Sequence, residues 1–134
     1  MTRQYSDAVR DGSRISYESV IGTSPKMRLL TGTQPANAAA AETGTLIVEI
    51  DLPSDWLSHD GAGVSTKLGV WTEVAAAAGD VGYYRVYDTA VANCHDQGSV
   101  TATGGGGDME LNTITAAIGQ DILVTAFTIT AGNQ

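Results

Sequence analysis

The chain reads as an all-β fold, an antiparallel β-sandwich that carries a short N-terminal helix or arm. Three observations point there. About seven short apolar or alternating runs are separated by Gly-, Pro- and Asn-rich punctuation, the rhythm of a sandwich rather than of a parallel α/β sheet. Aromatic residues are only 6% of the 134 residues, so the core must come mainly from Val, Ile and Leu and is expected to be thin. Helical periodicity is confined to the start, which divides the chain into an N-terminal helix or arm over 1–25 and a single β-sandwich domain over 26–134. A chain of this length buries roughly two-thirds of the surface its unfolded form exposes, and the lone Cys94 leaves no internal disulfide framework.

Tyr5 to Ile21 suits a helix, with Tyr5, Ala8, Val9, Gly12, Ser16 and Val20 on one side, expected to face the core. Arg14 and Glu18 are four apart and can pair on the outer side, in the less favourable order. Gly12 costs about 1 kcal/mol relative to Ala, while Gly22 and Pro25 end the helix. Lys26 to Thr31 is the first strand. Ala36 to Thr43 is too short to be a stable helix alone and reads as a loop, either packing material or a contact arm. Thr45 to Leu52 is the clearest strand, with Leu46, Val48, Ile50 and Leu52 facing one way and Glu49 and Asp51 the other.

Pro53-Ser54-Asp55 stops that strand, and Trp56 and Leu57 turn a corner onto the core. Ser58 to Ser65 reads as a polar loop, Lys67 to Val74 as one strand and Ala75 to Gly82 as a linker. Gly82 to Asp88 alternates Tyr83, Arg85 and Tyr87 against Tyr84 and Val86, which places an arginine between two tyrosines on an exposed face suited to contact. Gln97 to Thr103 and Asp108 to Asn112 flank Gly104 to Gly107, expected at a hairpin tip or a close backbone approach. In the closing strand, Asp121 to Thr130, the residues Leu123, Thr125, Phe127 and Ile129 share a face.

A net charge of −8 argues against direct nucleic-acid binding, which is driven by Lys and Arg displacing counterions. The charge is uneven. Five of the seven basic residues, Arg3, Arg10, Arg14, Lys26 and Arg28, lie in the first 28 positions and leave a balance of +2 there, against −10 in the remainder. Such asymmetry has two readings, a docking end or a segment that simply neutralises its own acidic body. The opening MTRQYSDAVRDG has no apolar run, so neither a signal peptide nor a membrane span is expected.

No catalytic, metal or cofactor set emerges. Cys94, His95 and Asp96 are the residue types of a thiol site, but neighbours on a strand point to opposite faces. His59-Asp60 and His95-Asp96 could share a metal only if their loops met, and no repeated ligand spacing supports it. GGGGD lacks the Lys-Ser/Thr and following helix of a phosphate loop. Glu49 and Asp51 could serve a glycosidase only beside an aromatic platform and a cleft, and Trp56 and Trp71 read as core or interface anchors instead.

Several stretches carry a resemblance: YSDAVRDG, IGTSPKMRLLTGTQPAN, MRLLTGTQPANAAAAETGTLIVEIDLP, GTLIVEIDLPSDW, GYYRVYD, HDQGSVTATGGGGDMELN and GQDILVTAFTITAGN. Together they resemble a family of small virion proteins encoded by tailed bacteriophages. The resemblance implies a jelly-roll-like β-sandwich, a capsid decoration or cement protein that binds the major capsid protein on the virion surface after assembly in the host cytoplasm. A homo-oligomer, dimer or trimer, is implied, with no cofactor, no enzymatic role and no membrane. In this reading Arg3, Arg10, Arg14 and Arg28 meet an acidic capsid surface and Tyr83, Arg85 and Tyr87 form a contact face. The alternatives are a tail- or fibre-associated protein that contacts a host receptor or sugar through Tyr83, Arg85, Tyr87 and Trp56, and a small hydrolase using His95 or loop carboxylates.

Overall fold

A computed structural model of the chain describes residues 3–131. One helix, α1 (Asp7–Ile21), precedes ten strands: β1 (Lys26–Thr31), β2 (Leu46–Asp51), β3 (Leu57–His59), β4 (Val64–Lys67), β5 (Thr72–Val74), β6 (Gly79–Tyr87), β7 (Cys94–Ala102), β8 (Met109–Leu111), β9 (Thr115–Ala116) and β10 (Asp121–Thr130).

The Ser6 hydroxyl caps α1 by accepting from Val9 N–H, and Asp7 stands in its positive first turn. Gly22, at φ 92, stops it while donating to Glu18 O. The helix is turned the other way round from its apolar count: Val9 and Val20 are 56% and 68% exposed. Ile21 is buried, Arg10 and Tyr17 donate to Ala131 O and Asp96, Asp11 accepts from Gly61 N–H, and Glu18 is hydrogen-bonded to His59. Ala8, Gly12 and Ser16 offer little apolar area to bury, so the face with more ring surface and more polar links wins.

The strands form a sheet in the order β2-β1-β6-β7-β8-β10-β4-β3, with β9 on β6 and β5 on β10. It is mixed rather than wholly antiparallel, because β7 and β8 run parallel, Val100 opposite Met109. The glycine run is therefore no hairpin tip. It doubles the chain back beside β7: Gly107 N–H donates to Thr101 Oγ1, and Asp108 Oδ2 accepts from Ser99 N–H. A Cβ at Gly105 would stand 2.6 Å from Thr101 Cβ, so this close approach requires glycine.

The sheet curls. β4 and β5 pair with the two halves of one edge of β10, at Thr128–Thr130 and Asp121–Leu123, and Ala76 N–H then reaches Ile47 O on β2 at 2.8 Å. The expected single strand Lys67 to Val74 is split, because Trp71 turns inward, fully buried, and its Nε1–H donates to Leu68 O. The expected loop Ser58 to Ser65 is largely a hairpin, closed where Asp60 Oδ1 accepts from Ala62 and Val64 N–H. The expected linker before Gly82 is shorter, since β6 already begins at Gly79.

The core is less aliphatic than the composition suggests. Tyr17, Trp56, Trp71, Phe127 and Tyr84 form a line of tilted rings with centroids 5.4–6.1 Å apart, each contact contributing about 0.5–1.5 kcal/mol beyond its buried area. Met27, Leu29, Ile47, Val48, Ile50, Met109 and Leu111 pack around them. The inward set of β10 is Ile122, Val124 and Phe127, not Leu123 and Thr125, because a register shift between Val124 and Ala126 changes the alternation. A second shift, between Leu29 and Leu30, lets Ile47 and Val48 both turn into the core.

Candidate functional site

The Tyr-Arg-Tyr face is the first place a contact surface is expected, and it is covered by the chain itself. Strands β1, β6 and β7 put Arg28, Tyr83, Arg85, Tyr87 and Gln97 on one side, and the loop over residues 35–43 lies across them. Arg85 is 1% exposed and Tyr83 equally so. The Arg85 guanidinium donates to Ala40 O at 2.8 Å, Asn37 O at 3.2 Å, Gln97 Oε1 at 2.9 Å and Tyr87 OH at 3.3 Å. Tyr83 OH donates to Thr43 O and accepts from Thr43 N–H, and Gln97 Nε2 donates to Pro35 O. Arg28 bridges Glu42 at 2.6 Å and Glu49 at 2.8 Å and lies over the Tyr87 ring. Arg28, Tyr83, Arg85 and Tyr87 are thus removed from the expected contact set. They hold the 35–43 loop down, and that loop is packing material rather than an arm.

The other expected arginines are at α1. Arg3 is exposed ahead of the helix. Arg10 pairs with Asp7 at 3.5 Å, and its Nε–H donates to Ala131 O, tying the helix to the end of β10. Arg14 does not pair with Glu18. It stacks over the Tyr17 ring at 5.5 Å and donates from Nη2 to Ser13 Oγ, while its Nε is shielded from water with no acceptor. Leaving such a donor unmet costs about 1–3 kcal/mol. Between α1 and residues 130–131 lies a groove of about 370 Å³ that Arg10 and Arg14 both line.

Each candidate for chemistry is engaged within the fold. Cys94 Sγ donates to Asp96 O, and burial pushes its thiol pKa up, away from a reactive thiolate. His95 points instead to Asp88, 3.9 Å away. Among the described residues no three His, Cys, Asp or Glu side chains gather where a metal ion could sit. Glu49 is bound by Arg28 and Asp51 by Lys26, while the Gly104 and Gly106 amides donate to the Glu110 carboxylate.

Two clusters were not expected. Ser65 Oγ, His59 Nδ1, His59 Nε2 and Glu18 Oε2 form a hydrogen-bonded chain of 2.7 and 2.6 Å links. These are the residue types of a hydrolase relay, yet Ser65 is fully buried, so the chain acts as a latch between α1 and the β3–β4 hairpin. Asp96 Oδ2 accepts from both Tyr17 and Tyr84 hydroxyls, at 2.7 and 3.1 Å. Burial raises the Asp96 pKa against the lowering effect of those two bonds. Both clusters join residues far apart in the chain, so no local spacing announces them.

What the surface offers is apolar. Val9, Ile15 and Val20 stand out from α1, and Val70, Val74 and Ile118 from the region around β5 and the turn before β10. Of these, Val9 lines a groove with Ala131 and Val74 pairs with Asp121, so these two stand near opposite ends of β10, roughly 30 Å apart at strand rise. No protein-family model, curated protein or solved structure matches the chain.

Proposed function

We propose that the protein is a structural component of a tailed-bacteriophage virion, a jelly-roll-like β-sandwich that decorates the capsid, binds the major capsid protein and stabilises the head as a homo-oligomer. The observation that carries this reading is the exposure of apolar side chains on α1 and around β5, with Val9 and Val74 near opposite ends of β10. Exposed apolar surface marks interaction sites, and such residues near both ends of one strand suit a block that bridges neighbouring subunits of a lattice. Each weak contact then gains from the others through effective concentration. The engagement of the polar candidates in internal links supports a binding part rather than an enzyme.

Docking at the α1 end relies on Val9, Val20, Arg3 and the groove arginines. The tail- or fibre-associated alternative keeps no specific residues, since Tyr83, Arg85, Tyr87 and Trp56 are buried. Removing α1 would expose Ile21 and the rings beside Tyr17, so surface substitutions are the cleaner test. Val9→Glu with Val20→Glu is expected to abolish particle binding while unfolding free energy changes by less than about 0.5 kcal/mol. An image of the intact particle tests location: about a hundred copies or more over the shell support decoration, whereas about six to a few dozen at the tail overturn it.

A further inference from the structure

We propose that the outer face of α1 is the contact between two copies of this chain, paired antiparallel about a two-fold axis. The helix is amphipathic in reverse. From Ala8 to Val20 its exposed residues are all Ala, Val, Gly, Ile or Ser, and at 3.6 residues per turn they span an arc of about 160°. The five charges of the helix, Asp7, Arg10, Asp11, Arg14 and Glu18, occupy the opposite half. A helix whose outer face meets only water carries its charges there; here Val9, Ile15 and Val20 stand out instead. Gly12 is an independent sign. Glycine weakens a helix interior, the backbone at Gly12 is ordinary helix, and a Cβ there would meet nothing of the rest of the fold within 4 Å. The chain's own packing has no use for a glycine in the middle of this face, whereas a second backbone passing close over it does.

Charge and symmetry make the occupant a second copy. The chain carries −8, so two copies repel each other except across surface that carries no charge, and a charged partner would find no counter-charge on this face. The face is also its own complement. Val9, Ser13, Ser16 and Val20 follow one line along the helix at the i, i+4, i+7, i+11 spacing. An antiparallel two-fold sets Val9 of each copy against Val20 of the other and Ser13 against Ser16, so the valines interlock at the ends while the small residues let the helix axes approach to roughly 8 Å. The helix macrodipoles then lie opposed. A helix of this length offers a strip of about 22 Å by 10 Å, well short of the ~800 Å² per partner of a standard interface. Pairing is therefore weak in solution and strengthened where copies are concentrated on a lattice. It names the homo-oligomer contact of the function proposed above and rests on that reading only for its role: paired copies are bivalent, which is how Val9 and Val20 serve particle binding, and Val74 of each copy stays free toward the far end of β10.

Sedimentation equilibrium of the full chain is expected to show monomer and dimer with a dissociation constant between about 10 µM and 1 mM. On dilution the amide resonances of Val9, Gly12, Ser16 and Val20 should move and those of β5 stay in place. Gly12→Ala carries two opposite signs: the urea midpoint of the dilute monomer rises, while dimerisation weakens about fivefold or more because the added methyl stands between the helices. Val20→Glu is expected to abolish the dimer with monomer unfolding unchanged, since it buries a charge at the contact, and Val74→Glu to leave the dimer intact. No dimer up to about 1 mM, a trimer or larger species, dilution shifts centred on β5, or association unchanged in Gly12→Ala overturns the pairing. Particle binding is read separately. If the dimer forms and wild-type protein binds no particles, the capsid reading falls and the pairing stands; if Gly12→Ala loses the dimer yet binds particles fully, the pairing stands and its part in docking falls.

Discussion

The two faces of β1, β6 and β7 are both shut against water, by different physics. On the inner side Met27, Leu29, Tyr84, Val86 and Val100 join the line of rings below α1. On the outer side Arg28, Tyr83, Arg85, Tyr87 and Gln97 are closed over by one loop of small residues whose carbonyls they bind. Apolar burial is non-directional and scales with area, so the inner face tolerates small adjustments. The outer face depends on angles and distances: a guanidinium removed from water must keep its acceptors or become very costly. Among the described residues no carboxylate pairs with Arg85. Glu42 is linked to it through Tyr87 OH, which accepts from Arg85 and donates to Glu42 at 2.9 Å.

This contrast can be broken by removing the centre of each face. Trp71→Ala takes the middle ring from the line between Trp56 and Phe127, and a cost of about 3–5 kcal/mol is expected in urea unfolding. That loss is global, seen equally by fluorescence and by circular dichroism. Arg85→Ala should cost about 3 kcal/mol and act locally first. Hydrogen exchange at Thr43 N–H, which Tyr83 OH now accepts, and proteolysis within residues 36–41 should both accelerate while the signal of the buried tryptophans stays native. If Arg85→Ala instead unfolds the whole chain in one step with protection lost everywhere, the two faces are one cooperative unit and the contrast between them fails.

The inner face was largely legible in the sequence. Met27 with Leu29 and Val48 with Ile50 alternate as a half-buried strand must, and the strands containing Lys26–Thr31, Leu46–Asp51 and Asp121–Thr130 follow from period two. What failed there failed at shifts of register. The break between Val124 and Ala126 exchanges one parity for the other, and nothing in Val-Thr-Ala announces it. The outer face is not legible, because Tyr-Arg-Tyr on alternate positions looks the same whether it meets water or backbone carbonyls 45 and 48 residues away in sequence. A signal was present in the loop itself: five alanines between Pro35 and Glu42 are suited to lying close on another surface. The buried face of the helix is hidden for a related reason. Ala8, Gly12 and Ser16 bury little area, beside a Tyr17 that reaches Asp96 and a Glu18 that reaches His59.

The smallest expected effect tests the contrast where a carboxylate intrudes on the inner face. Asp96 carries a raised pKa because burial penalises its charge more than the Tyr17 and Tyr84 hydroxyls reward it. The native carboxyl therefore keeps its proton at pH values where the unfolded chain has already lost it. Native protein then binds more protons than unfolded protein across a window that opens at the usual value of 3.8 and closes above the raised native one. Stability contributed by this group is full below that window, declines as pH rises through it, and stays at the lower level beyond. Asp96→Asn has no such proton to lose and keeps one side-chain oxygen for the tyrosines. The difference in urea midpoint, wild type minus Asp96→Asn, should thus fall as pH rises through the window and then level off, with the other titrating groups cancelling in the subtraction. A difference that rises with pH would mean that the native carboxylate is held ionised by its two hydroxyl donors. The inner face would then accommodate a charge by directed hydrogen bonds, as the outer face does for Arg85, and burial would be the same problem solved the same way on both sides of the sheet.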